Sequence, residues 1–130
     1  MKLKKTGIYI PSGRKVWAHE MRVAEILASA GHCIEFLPEL NSLPTADIRL
    51  DGIEYEIKSP ERFNPNTLEH AIRDAMKQSP NLIVDTSRMR RVSDHKVQNF
   101  LIQQLRKEHR IRHLFMITKQ GQIIDILNPA

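Results

Sequence analysis

Cysteine occurs once in this chain, aromatic residues make up 5%, and no apolar run approaches the roughly 18 residues of a membrane-spanning helix. The single Cys33 excludes an intrachain disulfide and agrees with a reducing compartment. Its neighbours Ile34 and Phe36 predict a buried structural thiol rather than a nucleophile. The amino end has no signal-peptide apolar region, so the expected location is the cytoplasm, whether made there or delivered there, with no membrane partner. With so few rings, the core must come from Leu, Ile, Val, Met and Ala. Repeats and low-complexity linkers are also lacking, and residues 1–130 read as a single domain.

Charge is what the chain does have. Twenty Lys and Arg against fifteen Asp and Glu give a net charge of +5 and a pI near 9.6, a balance that suits a polyanionic partner. "TSRMRRVSDHK" (residues 86–96) and "RKEHRIRH" (residues 106–113) concentrate Arg and His near expected helix ends. These runs read equally as phosphate contacts and as solvated faces.

Apolar spacing predicts the order of elements. "VWAHEMRVAEILASAGH" reads as a helix stopped by Gly31, and "CIEFL" as a short strand. "NTLEHAIRDAMKQSP" reads as a second helix with Asn66 as N-cap, closed by Pro80. "NLIVD" has the continuous apolar character of a buried strand. "SDHKVQNFLIQQLRKEH" is a third helix capped by Ser93, and "HLFMITKQGQIIDIL" a closing hairpin around Gly121. The crossover through the second helix should set "NLIVD" parallel to the strand before it.

Between the first two helices, "ADIRLDGIEYEIKSP" (residues 46–60) carries an Asp51-Gly52 pair between alternating runs, the signature of a two-residue hairpin. Counting outwards pairs Leu50 with Ile53, Arg49 with Glu54, Ile48 with Tyr55 and Asp47 with Glu56. Ala46, Ile48, Leu50, Ile53, Tyr55 and Ile57 then share an apolar face. Thr45, Asp47, Arg49, Glu54, Glu56 and Lys58 share the other. Two opposed carboxylates repel. On an exposed face water and the flanking cations would suffice; on a covered face a hard divalent cation would keep both ionised. Glu20, on the first helix, is a third candidate ligand, and Lys58 necessarily projects beside Glu56. An acid pair with a lysine suits metal-assisted phosphodiester hydrolysis.

Asp47, Glu56 and Lys58 in this element order, with Glu20 on the first helix, resemble the PD-(D/E)XK phosphodiesterase superfamily. The resemblance covers roughly residues 16–85 and implies a restriction-endonuclease-like αβββαβ core with a mixed sheet, here extended by a third helix and a C-terminal hairpin. Ala46 precedes Asp47, and Pro44 lies three positions upstream of it, which departs from the family pattern. Most of the chain also resembles the C-terminal tRNA-nuclease toxin domains of contact-dependent growth inhibition (CdiA-type) proteins, through "HEMRVAEILASAGH", "TADIRLDGIEYEIKSP", "NTLEHAIRDAMKQSPNLIVD" and "HLFMITKQGQIIDI". This segment begins at its own Met1, so a stand-alone nuclease and a trimmed piece are both open readings.

The resemblance implies Mg²⁺ or Mn²⁺, with Zn²⁺ a further candidate, held by Asp47, Glu56 and Glu20. Lys58 would position water or neutralise phosphate, and Arg88, Arg90, Arg91, Gln78 and His19 would bind nucleic acid, tRNA ahead of DNA. An immunity protein is the implied protein partner. A metal-independent ribonuclease of the Barnase/EndoU/colicin/RelE type would instead draw on His19, Lys58, Arg88 and Thr118. A nucleic-acid-binding or partner-sequestering domain without catalysis is the third reading.

Overall fold

The computed structural model describes residues 3–4, 7–39 and 45–128. The elements are β1 (Leu3–Lys4), β2 (Ile8–Tyr9), α1 (Ala18–Ser29), β3 (Ile34–Phe36), β4 (Ile48–Leu50), β5 (Ile53–Lys58), α2 (Pro65–Ala75), β6 (Asn81–Asp85), α3 (Asp94–Lys107), β7 (His113–Ile117) and β8 (Ile123–Asp125). From α1 to β6 this is the expected αβββαβ order, and α3 with the β7–β8 hairpin completes it. The strands β1 and β2 were not anticipated. Two residues each are too few to show a period in sequence. Pro44 lies outside the described residues.

All eight strands join one mixed sheet in sequence order. β2 and β3 pair in parallel, as do β5 with β6 and β6 with β7; the remaining neighbours are antiparallel. Five strands therefore point one way, and their carboxyl ends share an edge with the start of β4. Because each helix follows one of these strands, all three helices begin at that edge and run back across the sheet.

Alternation divides the core between two faces. Val23, Ala24 and Leu27 of α1 pack with Ile34, Phe36, Ile48, Tyr55, Ile57 and Ile83. Across the sheet, Leu68 and Ile72 of α2 and Val97 and Leu101 of α3 cover Leu82, Val84, Leu114 and Met116. Glu56 aligns with Leu82 and Lys58 with Val84, so both belong to the α2–α3 face.

The hairpin register is as counted from Leu50–Ile53 to Ile48–Tyr55, with Asp51 at φ 49° and Gly52 at φ 88°, the positive pair that the turn demands. It does not continue to Asp47 and Glu56. The Asp47 N–H donates to the Tyr55 carbonyl at 3.1 Å, and the Asp47 Oδ2 accepts the Ile57 N–H at 2.7 Å. A side chain has taken the place of a backbone rung. Ile53 is 44% exposed rather than inward, because the hairpin tip overhangs the core. Cys33 is exposed, not buried: it precedes β3 and is held through its backbone N–H by Asp51 Oδ1 at 2.8 Å. The α2 cap is Asn64, which accepts from Thr67 N at 3.1 Å, with Pro65 in the first turn instead of Asn66 as cap. α2 ends at Ala75, before Pro80. Ser93 caps α3 as expected.

Candidate functional site

The carboxyl edge gathers most of the chemistry. β5 carries Glu56 to a position 6% exposed, under α2 and α3. Burial, followed by the charge of Asp47, pushes the Glu56 carboxyl up to about 8. Asp47 is raised as well, chiefly by burial, while the Ile57 N–H acts the other way. The influence is not mutual: the Asp47 charge raises Glu56, whereas a hydrogen bond from Glu56 lowers Asp47. Lys58 Nζ stands 3.5 Å from Glu56 Oε2 and opposes the shift. As an ionised group Glu56 would leave its buried Oε1 without a donor.

Glu20 approaches from the first turn of α1. Its Oε1 accepts the Trp17 N–H at 3.0 Å, and its Oε2 lies 3.5 Å from Arg14 Nη2. Its charge contributes to raising Asp47, and that of Arg14 to lowering it. Glu20 is thus a neighbour of the acid pair whose oxygens already have partners. Among the described residues, no group of three or more acidic, His or Cys side chains is arranged to hold a cation, so Asp47, Glu56 and Glu20 do not converge as a ligand trio. Asp47 and Glu56 alone fit a hard cation: two carboxylates, one with an orphaned buried oxygen, match the donors that Mg²⁺ takes from a protein while keeping waters elsewhere.

A buried network that the sequence reading missed braces this edge. Asp85, wholly buried at the end of β6, accepts from Arg22 Nη1 at 3.0 Å, Ser59 Oγ at 3.1 Å, Ser87 Oγ at 2.9 Å and Ser87 N at 3.0 Å. It ties α1 to the loops after β5 and β6. An acid ending an otherwise apolar strand at the carboxyl edge was the available signal. Arg14, whose Nε donates to the Leu37 carbonyl at 2.8 Å, left no such trace in the pattern.

Beyond Lys58 and Ser59 the loops after β5 and β6 enclose a cleft of about 930 Å³. Arg62, Arg88, Arg90, Arg91 and Lys96 line it, against one acid, Glu61. Arg88 is fixed, donating to the Ser59 carbonyl at 3.1 Å and pairing with Glu61 at 2.8 Å. Arg90 and Arg91 are exposed and, among the described residues, make no ion pair. The starts of α2 and α3 adjoin this cleft, and their dipoles add positive potential.

The remaining candidates fall elsewhere. His19 is half-buried on the first turn of α1. Gln78 follows α2 at the opposite edge, next to Ser79, far along the sheet from the cleft. Thr118 is buried in the β7–β8 turn, where its Oγ1 accepts the Gln122 N–H at 2.9 Å. Its hydroxyl thus holds the turn. Arg106 lies at the end of α3, with Arg110 and Arg112 following, again at the far edge. No helix among the described residues is long and apolar enough to cross a membrane.

Comparison with known proteins bears on this arrangement. Residues 44–123 match the family model of the contact-dependent growth inhibition CdiA C-terminal domain. The fold is similar to that of a CdiA-CT/CdiI toxin and immunity complex from Burkholderia pseudomallei, with a TM-score of 0.63 and 18% identity over 95% of this chain and 96% of that one. At that identity the likeness is one of fold. No curated protein sequence matches the chain.

Proposed function

From the premise that the chain belongs to the contact-dependent growth inhibition CdiA C-terminal domain family, we propose that it is a toxin domain acting as a metal-dependent endonuclease on structured RNA, tRNA ahead of DNA. The observation that carries this reading is the desolvated Asp47–Glu56 pair beside Lys58, linked to a neighbouring arginine-lined cleft through the hydrogen bond from Arg88 to the Ser59 carbonyl. Such a pair is costly to maintain in a structural surface. A bound divalent cation would offset that cost by keeping both carboxylates ionised.

Asp47 and Glu56 would hold Mg²⁺ or Mn²⁺, with Glu20 adding negative charge nearby. The cation, when bound, supplies Lewis-acid polarisation of a phosphoryl oxygen and a more acidic water. Lys58, fixed near Glu56, neutralises charge that develops on the scissile phosphate and orients the attacking water. Arg88 is pre-positioned by Ser59 and Glu61, so it meets a phosphate without losing much side-chain freedom. Arg62, Arg90, Arg91 and Lys96 hold the flanking backbone, which fixes register and carries little sequence information. The D…ExK pattern and the αβββαβ order support placing the domain in the PD-(D/E)XK superfamily. An immunity protein is the proposed partner, extended from the Burkholderia pseudomallei complex, and the cytoplasm of a target cell the proposed place of action.

The test is incubation with total tRNA and with duplex DNA, with and without EDTA. Cleavage should vanish in EDTA and return with Mg²⁺, and Lys58→Ala should abolish it. RNA cleavage that survives EDTA and leaves DNA intact would transfer the reaction to attack by the RNA's own 2′-hydroxyl.

A further inference from the structure

Next to Lys58, between α2 and α3, lies a second and smaller cavity of about 230 Å³. Lys58, Ser59, Leu68, Ala71, Val97 and Phe100 are among its lining. Its polar equipment is nearly all committed. The Ser59 hydroxyl donates to Asp85 and its carbonyl accepts from Arg88, so Lys58, whose ammonium stands 3.5 Å from Glu56 Oε2, is the one charged residue of the lining. The volume is below the about 300 to 1,000 Å³ of sites for drug-sized ligands, so it suits one flat ring system rather than a whole nucleotide.

The two cavities share a wall. Phe63 lines the arginine cleft and Phe100 the apolar one, and their rings meet edge to face at 5.6 Å between centroids. Lys96 Nζ lies 5.4 Å from the Phe63 centroid, which orients that ring from the cleft side. Arg88 reaches from the cleft to Ser59 of the apolar cavity. A strand whose phosphates follow the arginines would therefore pass the mouth of an apolar recess just as it reaches Lys58.

We infer that this recess takes one unstacked nucleobase of an RNA strand, adjacent to the phosphate at Lys58. A base has an apolar face to bury and a polar edge to leave near the ammonium, and only a base free of its pairing partner enters. Enzymes acting on nucleic acid commonly seat an extruded base between apolar and aromatic side chains. The lining offers no set of hydrogen-bond partners to read a base edge, so the recess selects unpaired over paired nucleotides without selecting sequence. The inference rests on the nuclease reading for the position of the scissile phosphate, but its binding test does not need cleavage.

That test compares a single-stranded RNA oligonucleotide with the same strand carrying one abasic residue at the cleaved or central position. Affinity is measured in EDTA with wild-type protein and with Ala71→Trp, which fills the recess; Phe100→Ala, which opens its wall, serves if the first variant unfolds. Wild type should bind the abasic strand roughly tenfold more weakly, in the range for loss of one stacked base. The variant should bind both strands alike, at the weaker level. Single-turnover cleavage with Mg²⁺ should follow the same pattern. Equal wild-type affinity for the two strands, or a variant that keeps the preference, would overturn the inference even if cleavage of tRNA stands. If cleavage fails and the preference remains, the nuclease reading falls while the recess keeps its ligand.

Discussion

Replacing Glu56 by Gln should remove much of the pH dependence of folding stability. Gln retains the shape and cannot ionise. In the wild type the folded carboxyl holds its proton up to about 8, against the ordinary value of 4.5 in the unfolded chain. Between those values the folded state carries a proton that the unfolded state has released, so stability is greatest below about pH 4.5 and declines as pH rises towards 8. A gap of about 3.5 pH units at about 1.4 kcal/mol each sets a ceiling of about 5 kcal/mol. Relaxation and water entry keep the observed change below that ceiling, and the raised Asp47 acts in the same direction. Urea unfolding followed by circular dichroism, from about pH 4.5 to about pH 8.5 in EDTA, reads the effect. The two proteins should converge at low pH, and the Gln variant should become the more stable by about 1 kcal/mol or more near pH 8. Parallel curves would refute the reasoning, since histidines common to both proteins cancel in the difference.

Mg²⁺ should raise the melting temperature of the wild type more at about pH 8 than at about pH 5.5, because the cation must displace a proton from the pair; the Gln variant should show little response. Asp47→Ala should lose cleavage and about 1 to 3 kcal/mol at about pH 5, where the Ile57 N–H is left without its acceptor. Asp47→Asn should lose cleavage and keep its fold, because the amide oxygen can still accept. Asp85→Ala should cost about 3 kcal/mol or more in chemical denaturation, leaving Arg22, Ser59 and Ser87 without a common acceptor. Exchanging Arg88, Arg90 and Arg91 for Gln should weaken binding of different tRNAs alike and flatten its salt dependence by up to about 0.7 to 0.9 in logarithmic slope for each phosphate no longer neutralised.

Much of the fold was legible because its signals are local. The Asp51-Gly52 turn fixed the hairpin, the unbroken NLIVD run marked a strand covered on both faces, and Ser93 marked the start of α3. The errors arose where tertiary contacts override local pattern. Counting alternation placed Ile53 inward, yet at the hairpin tip it is largely exposed; apolar neighbours suggested a buried Cys33, which instead sits ahead of its strand. The same distinction runs through the site. Glu56 and Lys58 are neighbours by strand period alone, whereas the bond from Ile57 to Asp47 breaks the ladder that the count assumed. The Asp85 network joins residues 22, 59, 85 and 87, and no spacing rule connects α1 to β6 across 63 positions.

The parallel arrangement of β5, β6 and β7 also sets when in the life of the chain this site comes into being. Both acids and Lys58 have been synthesised by position 58, but the surfaces that desolvate Glu56 come from later residues in α2, β6 and α3. Docking β6 and then β7 requires closing two long crossover loops, which is the slow part of forming such a sheet. A partly translated chain would hold its carboxylates in water, with ordinary acidity and no enclosed cleft. The order of synthesis thus separates the two contributions: the amino-terminal half supplies the acid pair and Lys58, and the carboxyl-terminal half supplies the surfaces that bury Glu56.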